Sequence, residues 1–411
     1  MFNLWQSIGK YDKKFLFLPK NNAMKLLVLL SRVPYPLEKG DKLRAYHQLR
    51  ILSQKHEIYL IALNADKLHP RAIEELSPFC KEIIIVKLHW WGQIIHLVRF
   101  LFMGFPMQCG YFYSFKAKKV IDKAVKRIKP DHIYGQMIRV AEYIKMIPIK
   151  KTLDYQDVLS KGMQRRYEKA PFFLKPFFYF EYKRLHHFES YIFPFFENRT
   201  IITGVDRNLL PHQDHEKIDV IANGVDFETF NYQGESKVYD IIFAGNMNYP
   251  PNIEAAEYLA RQIFPVLKKE IPKLKLVICG ANPSKRVKSL KNKDITVTGW
   301  VDSMAEYYAK SRIFVAPMHL GTGLQNKLLE AMAMKLPCVT SSLAGKPLEG
   351  IQNGQDILIC NSITGYVDAI RLLLTNPSQY EEIAQNGYNF VSENYNWDTI
   401  TGKLEEIISN T

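Results

Sequence analysis

The sequence predicts an α/β protein built as two doubly wound parallel-sheet domains. Strand-like apolar runs alternate with helical periodicity along the whole chain, and glycine turns sit at the carboxyl ends of those runs. At 411 residues the chain also exceeds what one hydrophobic core usually supports. In the first half the strand runs are 25–31, 57–63, 82–87, 131–134 and 199–203. In the second they are 239–244, 274–279, 294–298, 312–316, 337–341 and 356–360. Helical periodicity occupies 42–54, 116–129, 252–269, 303–310 and 325–335. Repeated βα units put helices on both faces of each sheet and ligands at the carboxyl ends of the strands.

Gly204, Pro211 and Asn223-Gly224 interrupt the periodicity between the halves. The expected domains are therefore 24–210 and 211–395, with a tail helix, 396–411, returning to the first domain. Met24-Lys25 leads straight into the first strand, so residues 1–23 are expected to be a disordered extension or a misassigned start.

Charge divides the chain more sharply than pattern does. Residues 1–199 hold 35 Lys and Arg against 17 Asp and Glu, a net of +18; residues 200–411 hold 20 against 24, a net of −4. Such segregation predicts an anionic partner for the first half: a membrane face, a phosphate-bearing substrate or nucleic acid. Two stretches there, His89 to Tyr113 and Phe172 to Phe196, interleave rings with cations in the manner of an interfacial helix. No nucleic-acid motif accompanies them, so a membrane surface is the expected partner and nucleic acid is not. The same rings at helical spacing also fit a packed core. No run of 18 or more uncharged apolar residues is present, and five scattered cysteines give neither a disulfide framework nor a zinc site. A reducing, cytoplasmic setting at the inner membrane face fits both observations.

The most specific stretch runs from Pro317 to Pro337. A strand ends at Pro317, the loop Gly321-Thr322-Gly323 follows, and a helical run opens with Lys327 and Glu330 three residues apart on one face. Glycines let backbone approach a ligand closely, and first-turn N–H groups with the helix dipole suit a phosphate. Lys327 adds a positive charge, and Glu330 can accept from a vicinal diol such as a ribose. A solvated lysine and a glutamate complementing the dipole are the plainer alternatives.

The wider pattern resembles family 4 glycosyltransferases of the GT-B fold, which consist of two Rossmann-like domains facing a cleft. The strand ending in Pro317, the Gly-x-Gly loop, Lys327, Glu330-Ala331-Met332-Ala333 and a new strand at Pro337 carry the resemblance. Asn223-Gly224-Val225-Asp226 with Phe230, the Gly245-Asn246 turn, Gly280 and Gly299-Trp300-Val301 extend it, as do Gly40 and Arg44 after the first strand. The resemblance implies retaining, metal-independent transfer from a nucleotide-diphosphate sugar to a lipid-linked or oligosaccharide acceptor in surface polysaccharide or glycolipid synthesis. No cofactor or metal is implied, and no carboxylate is given a covalent role. It further implies donor binding by Gly245, Asn246, Gly299, Trp300, Val301, His319 and the segment Gly321, Thr322, Gly323, Leu324, Gln325 and Asn326, together with Lys327 and Glu330. Lys327 and the amides of Gly323 and Leu324 would face the leaving diphosphate. Glu330 would hold the ribose, and the Gly299–Val301 turn the base.

On the acceptor side the candidates are Gly40, Lys42, Arg44, Asp154, Asp157 and Arg165, with Asp157 orienting the acceptor hydroxyl as the third catalytic candidate beside Lys327 and Glu330. Capping of the next helix is the alternative role for the two aspartates. Three positions depart from the family pattern. Thr322 stands where many members have a first glutamate, Asn246 where an arginine is usual, and no lysine lies in Asn248–Asn252. His319, Lys42 or Arg44 could supply the missing charge. A nucleotide-sugar isomerase of the same fold, or a binding protein with weakened catalysis, stays open as an alternative. An oxidoreductase is disfavoured by Ser31-Arg32-Val33-Pro34 where a glycine fingerprint would follow the first strand.

Overall fold

The computed structural model describes residues 23–231, 236–321 and 323–411. Residues 1–22 of the expected extension and the candidate Thr322 lie outside the described residues. The chain forms two compact units: Met1–Ile221 with Thr401–Thr411, and Ala222–Ile400.

The first unit is built on β1 (Lys25–Leu30), β2 (Glu57–Asn64), β3 (Glu82–Lys87), β4 (His132–Gln136), β5 (Lys151–Gln156), β6 (Asn198–Ile201) and β7 (Asp219–Val220). All pair in parallel, in the order β3-β2-β1-β4-β5-β6-β7. Leu26 to Leu30 are all buried, as expected where helices cover both faces of a parallel strand.

The second unit is built on β8 (Tyr239–Ala244), β9 (Leu276–Cys279), β10 (Ile295–Val297), β11 (Ser311–Ala316), β12 (Cys338–Thr340) and β13 (Leu358–Ile359). Their order is β10-β9-β8-β11-β12-β13, again all parallel. In each sheet the winding reverses beside the first strand, at β1/β4 and at β8/β11. Crevices at such reversals are where doubly wound sheets bind ligands.

Two boundaries are corrected. Residues 211–221 belong to the first unit, not the second, because β7 lies among them and pairs with β6 through Thr200 and Asp219. The tail helix, Trp397–Ser409, is divided between the units. At its start, a Cβ on Gly224 would lie 2.7 Å from the Trp397 nitrogen, so the two backbones are in contact. Further along, Glu405 accepts from Lys55 at 2.6 Å and lies 3.2 Å from His56, while Asn198 donates to the Ile407 carbonyl at 3.0 Å.

Candidate functional site

In the second unit the loops after β8, β9 and β11 converge beside the winding reversal. Gly245 (φ +152°) and Gly280 (φ +140°) end β8 and β9 so tightly that a Cβ on Gly280 would lie 1.8 Å from the Gly245 carbonyl oxygen. No side chain fits there. Gly321 and Gly323 both take positive φ, +108° and +74°, conformations that glycine adopts without strain. The helix that follows spans Asn326–Ala333 and buries Leu328, Leu329, Ala331, Met332 and Ala333. That face fixes its rotation and leaves Lys327 and Glu330 on the other side, partly open to solvent.

Asn252 joins these parts. Its amide nitrogen donates to the Asn246 carbonyl at 2.9 Å, and its amide oxygen accepts from Lys327 Nζ. Lys327 Nζ also stands 5.0 Å from the centre of the Phe243 ring. No carboxylate pairs with Lys327 within ion-pair distance among the described residues. Surrounding protein pushes its ammonium down to about 7 by desolvation, with Glu330 opposing the shift. Glu330 accepts from the Tyr308 hydroxyl at 3.0 Å; burial raises its carboxyl, against the effects of Tyr308 and Lys327. Tyr308 sits on the Met304–Ala309 helix, just after the Gly299-Trp300-Val301 turn, so it connects that turn to Glu330. Trp300 is exposed and Gly299 has φ +83°. Asn326 accepts from Asn223 at 3.2 Å, and exposed His319 makes a T-shaped contact with Tyr258 at 4.4 Å. Leu324 and Gln325 are half-buried, and Asn246 is exposed.

A desolvated ammonium, backbone amides at the start of a helix and a hydroxyl-accepting carboxylate can together hold a diphosphate and a diol. Asn252 and Tyr308 were not legible as site residues. Each acts through a partner distant in sequence, and neither stands in a local pattern.

The acceptor-side candidates separate. Arg44 and Asp154 do not face solvent: both are fully buried, with Arg44 Nε 2.7 Å from Asp154 Oδ2. Tyr134 donates to the same carboxylate at 3.0 Å, and so does Thr200 at 3.0 Å. This network ties β4, β5 and β6 to the Gly40–Leu52 helix and is structural, which corrects the acceptor-side assignment of both residues. Asp154 lies inside β5, a strand absent from the expected runs. Gly40 is an exposed residue opening that helix.

Lys42 lines a cavity of about 180 Å³ at the ends of β1 and β2, together with Arg32, Lys39, Lys67 and Tyr111. Desolvation lowers the Lys42 ammonium, and neighbouring Lys39 lowers it further. Asp157 is solvent-accessible at the end of β5, yet desolvation raises its carboxyl, with nearby Arg165 opposing. The next helix, Leu159–Lys169, is capped from a distance: Glu189 accepts from the Ser160 nitrogen at 3.0 Å and from its hydroxyl at 2.5 Å. Capping is thus not left to Asp157.

Arg139 was not singled out by the sequence. It donates to Gln108 at 3.0 Å and lies over Phe112 at 5.0 Å, with Arg32 over the same ring at 5.6 Å. Burial lowers its guanidinium to about 10, and Arg32 contributes to the shift.

Residues 238–376 match the model of a family described as glycosyl transferases group 1. An uncharacterized 44.6 kDa protein in the cps region of Klebsiella pneumoniae is 23% identical over 393 residues, covering 90% of this chain and 96% of that protein. Among solved structures, sucrose-phosphate synthase from Thermosynechococcus elongatus superposes with a TM-score of 0.68 at 14% identity, over 93% of this chain and 98% of the other. Anabaena HepE in complex with UDP-glucose gives 0.65 at 13% identity, over 94% and 100%. A glycosyltransferase from Rickettsia africae gives 0.66 at 15%, over 95% and 99%. With its two all-parallel units and the glycine-rich site of the second, the chain has the GT-B fold, and its segment 238–376 is related to the group 1 glycosyltransferases.

Proposed function

We propose that the chain transfers a sugar from a nucleotide-diphosphate sugar to a lipid-linked glycan acceptor, with retention of configuration and without a metal. The observation that carries this is the Asn252–Lys327–Glu330–Tyr308 cluster beside the β8/β11 reversal. Lys327 and the loop amides of Gly323 and Leu324 meet the diphosphate. Their donors stand in place before charge develops, and this is how such a site lowers a barrier. Glu330 offers Oε1 to the ribose hydroxyls while Oε2 holds Tyr308. Gly299, Trp300 and Val301 receive the base.

As the bond from the sugar's anomeric carbon to the diphosphate breaks, the acceptor oxygen bonds to that carbon on the same face. The acceptor's hydroxyl proton leaves with the diphosphate. In the first unit Asp157, with Arg165 beside it, orients that hydroxyl, and the cations around Lys42 take an anionic group of the acceptor. Membrane attachment at the inner face brings the acceptor within reach. Among the described residues no helix is long and apolar enough to cross a membrane.

A thermal-shift panel of nucleoside diphosphates tests the donor reading, because a ligand bound only by the folded state raises the melting temperature. UDP is the first candidate, since Anabaena HepE was solved with UDP and with UDP-glucose. At 100 times its Kd it should contribute about 2.7 kcal/mol. No shift with any diphosphate would remove the donor site. Product release that continues without acceptor would favour the isomerase reading, and a chelator that stops transfer would refute metal independence.

A further inference from the structure

The Trp90–Phe102 helix is seated with its faces reversed. Gln93, His96 and Phe100 point inward and are buried. Trp90, Trp91, Ile94, Ile95, Val98 and Phe102 are exposed, Trp91 at 64% and Phe102 at 86%. These six recur at one-turn spacings and form a continuous apolar stripe. The seating is fixed by packing. His96 meets Tyr113 at 5.4 Å and Phe115 at 4.9 Å, and Gly110 lies so close that a Cβ there would stand 2.8 Å from the His96 carbonyl. The arrangement costs hydrogen bonds as well, since Gln93 Nε2 and His96 Nδ1 are buried without a partner among the described residues. A helix that buries an amide and an imidazole while wetting two indoles suits an apolar medium, not water.

We propose that this face docks on an anionic lipid surface, with the stripe entering the headgroup boundary. Charge selects that occupant. From residue 83 to 121 the chain has no Asp or Glu and five Lys or Arg. Indole rings prefer a boundary that is apolar on one side and wet on the other. The same unit offers a second apolar tip where the Leu159–Lys169 helix turns into the Lys175–Tyr191 helix, with Phe172 exposed at 85% beside Phe173 and Phe177. Residues 159–180 carry five Lys or Arg against one acid, Glu168. Glu181 binds the two regions together, accepting from the backbone of Met107 at 2.9 Å and of Gln108 at 3.1 Å. A second copy is a poorer occupant, because a symmetric contact would set two +18 halves against each other.

The inference rests on the reading of the chain as a transferase with a membrane-borne acceptor, and it names the surface involved. The full chain should sediment with phosphatidylglycerol vesicles and far less with phosphatidylcholine. The double variant Trp91→Glu/Ile95→Glu should bind the anionic vesicles about tenfold less or weaker still, with an unchanged melting temperature. Val238→Glu, an equally polar change at an exposed residue of the second unit, should bind like the parent. The proposal falls if the parent ignores anionic vesicles or if both variants bind alike. It also falls if the double variant only converts a dimer to a monomer in ultracentrifugation, which would make a second copy the occupant. UDP binding measured in parallel separates the two readings: vesicle binding without UDP binding keeps the surface and removes the transferase.

Discussion

Replacing Arg44 by alanine should lower the melting temperature of the first unit by about 6–20 °C. Breaking a buried ion pair from one side costs about 3–5 kcal/mol, because the remaining charge stays buried without its partner. Each kcal/mol shifts the midpoint of a unit this size by about 2–4 °C. Arg44 and Asp154 are both fully buried, so no water can take over either charge. Asp154→Asn should act in the same direction, since the buried guanidinium then loses the facing carboxylate charge. The double change Arg44→Met/Asp154→Leu should recover much of the loss, since replacing both members of such a pair by apolar groups is often close to neutral. Scanning calorimetry of the full chain would show it as a change in one transition. An unchanged melting temperature with lost transfer would return Arg44 to the acceptor side.

Lys327→Ala should weaken UDP binding about 10–150-fold, the loss of one charge-assisted contact of about 1.5–3 kcal/mol. The pH dependence is the sharper signature. In the empty protein the ammonium titrates near 7, lowered by burial, and a diphosphate favours its charged form. Affinity should therefore fall above pH 7, by up to about tenfold per pH unit, until the higher pKa of the complex is passed. Calorimetry at pH 8 in two buffers of different ionisation enthalpy should detect proton uptake on binding. Lys327→Ala should abolish both the slope and the uptake. Equal affinity and equal slope in parent and variant would take Lys327 out of the donor site. The same shift has the opposite effect on the empty fold. Between pH 7 and 10.5 the unfolded chain holds more of this proton than the folded one, so through Lys327 the second unit gains stability as pH rises across that window.

The parts of the fold read correctly from sequence are those specified locally. Runs such as Leu26–Leu30 and Ile313–Ala316 are apolar at every position because both faces are covered, and the glycines that end β8 and β9 mark backbone with no room for a side chain. The Pro317–Pro337 signature placed Lys327 and Glu330 on a helix, on the face turned away from its buried side. What was missed depends on distant partners. The run Lys151–Gln156 lacks the appearance of a central strand because Asp154 interrupts it, and partners distant in sequence, Arg44 110 residues earlier together with Tyr134 and Thr200, make that carboxylate tolerable in the core. Two-residue β7 is too short to carry a period. The Asn252–Lys327 link joins positions 75 apart. In the Trp90–Phe102 helix, tertiary packing through His96 and Phe100 decides between the interfacial and core readings that its rings left open.

The division of the tail helix has a consequence for how the protein comes to be made. Residues 401–411 group with the first unit but follow the whole of the second along the chain. A ribosome therefore delivers strands β1 to β7 long before the segment that packs at the amino-terminal ends of β2 and β6, where Glu405 meets Lys55 and His56 and Ile407 meets Asn198. The second unit, continuous from Ala222 to Ile400, has all its parts as soon as it emerges. The half synthesised first is thus the half completed last.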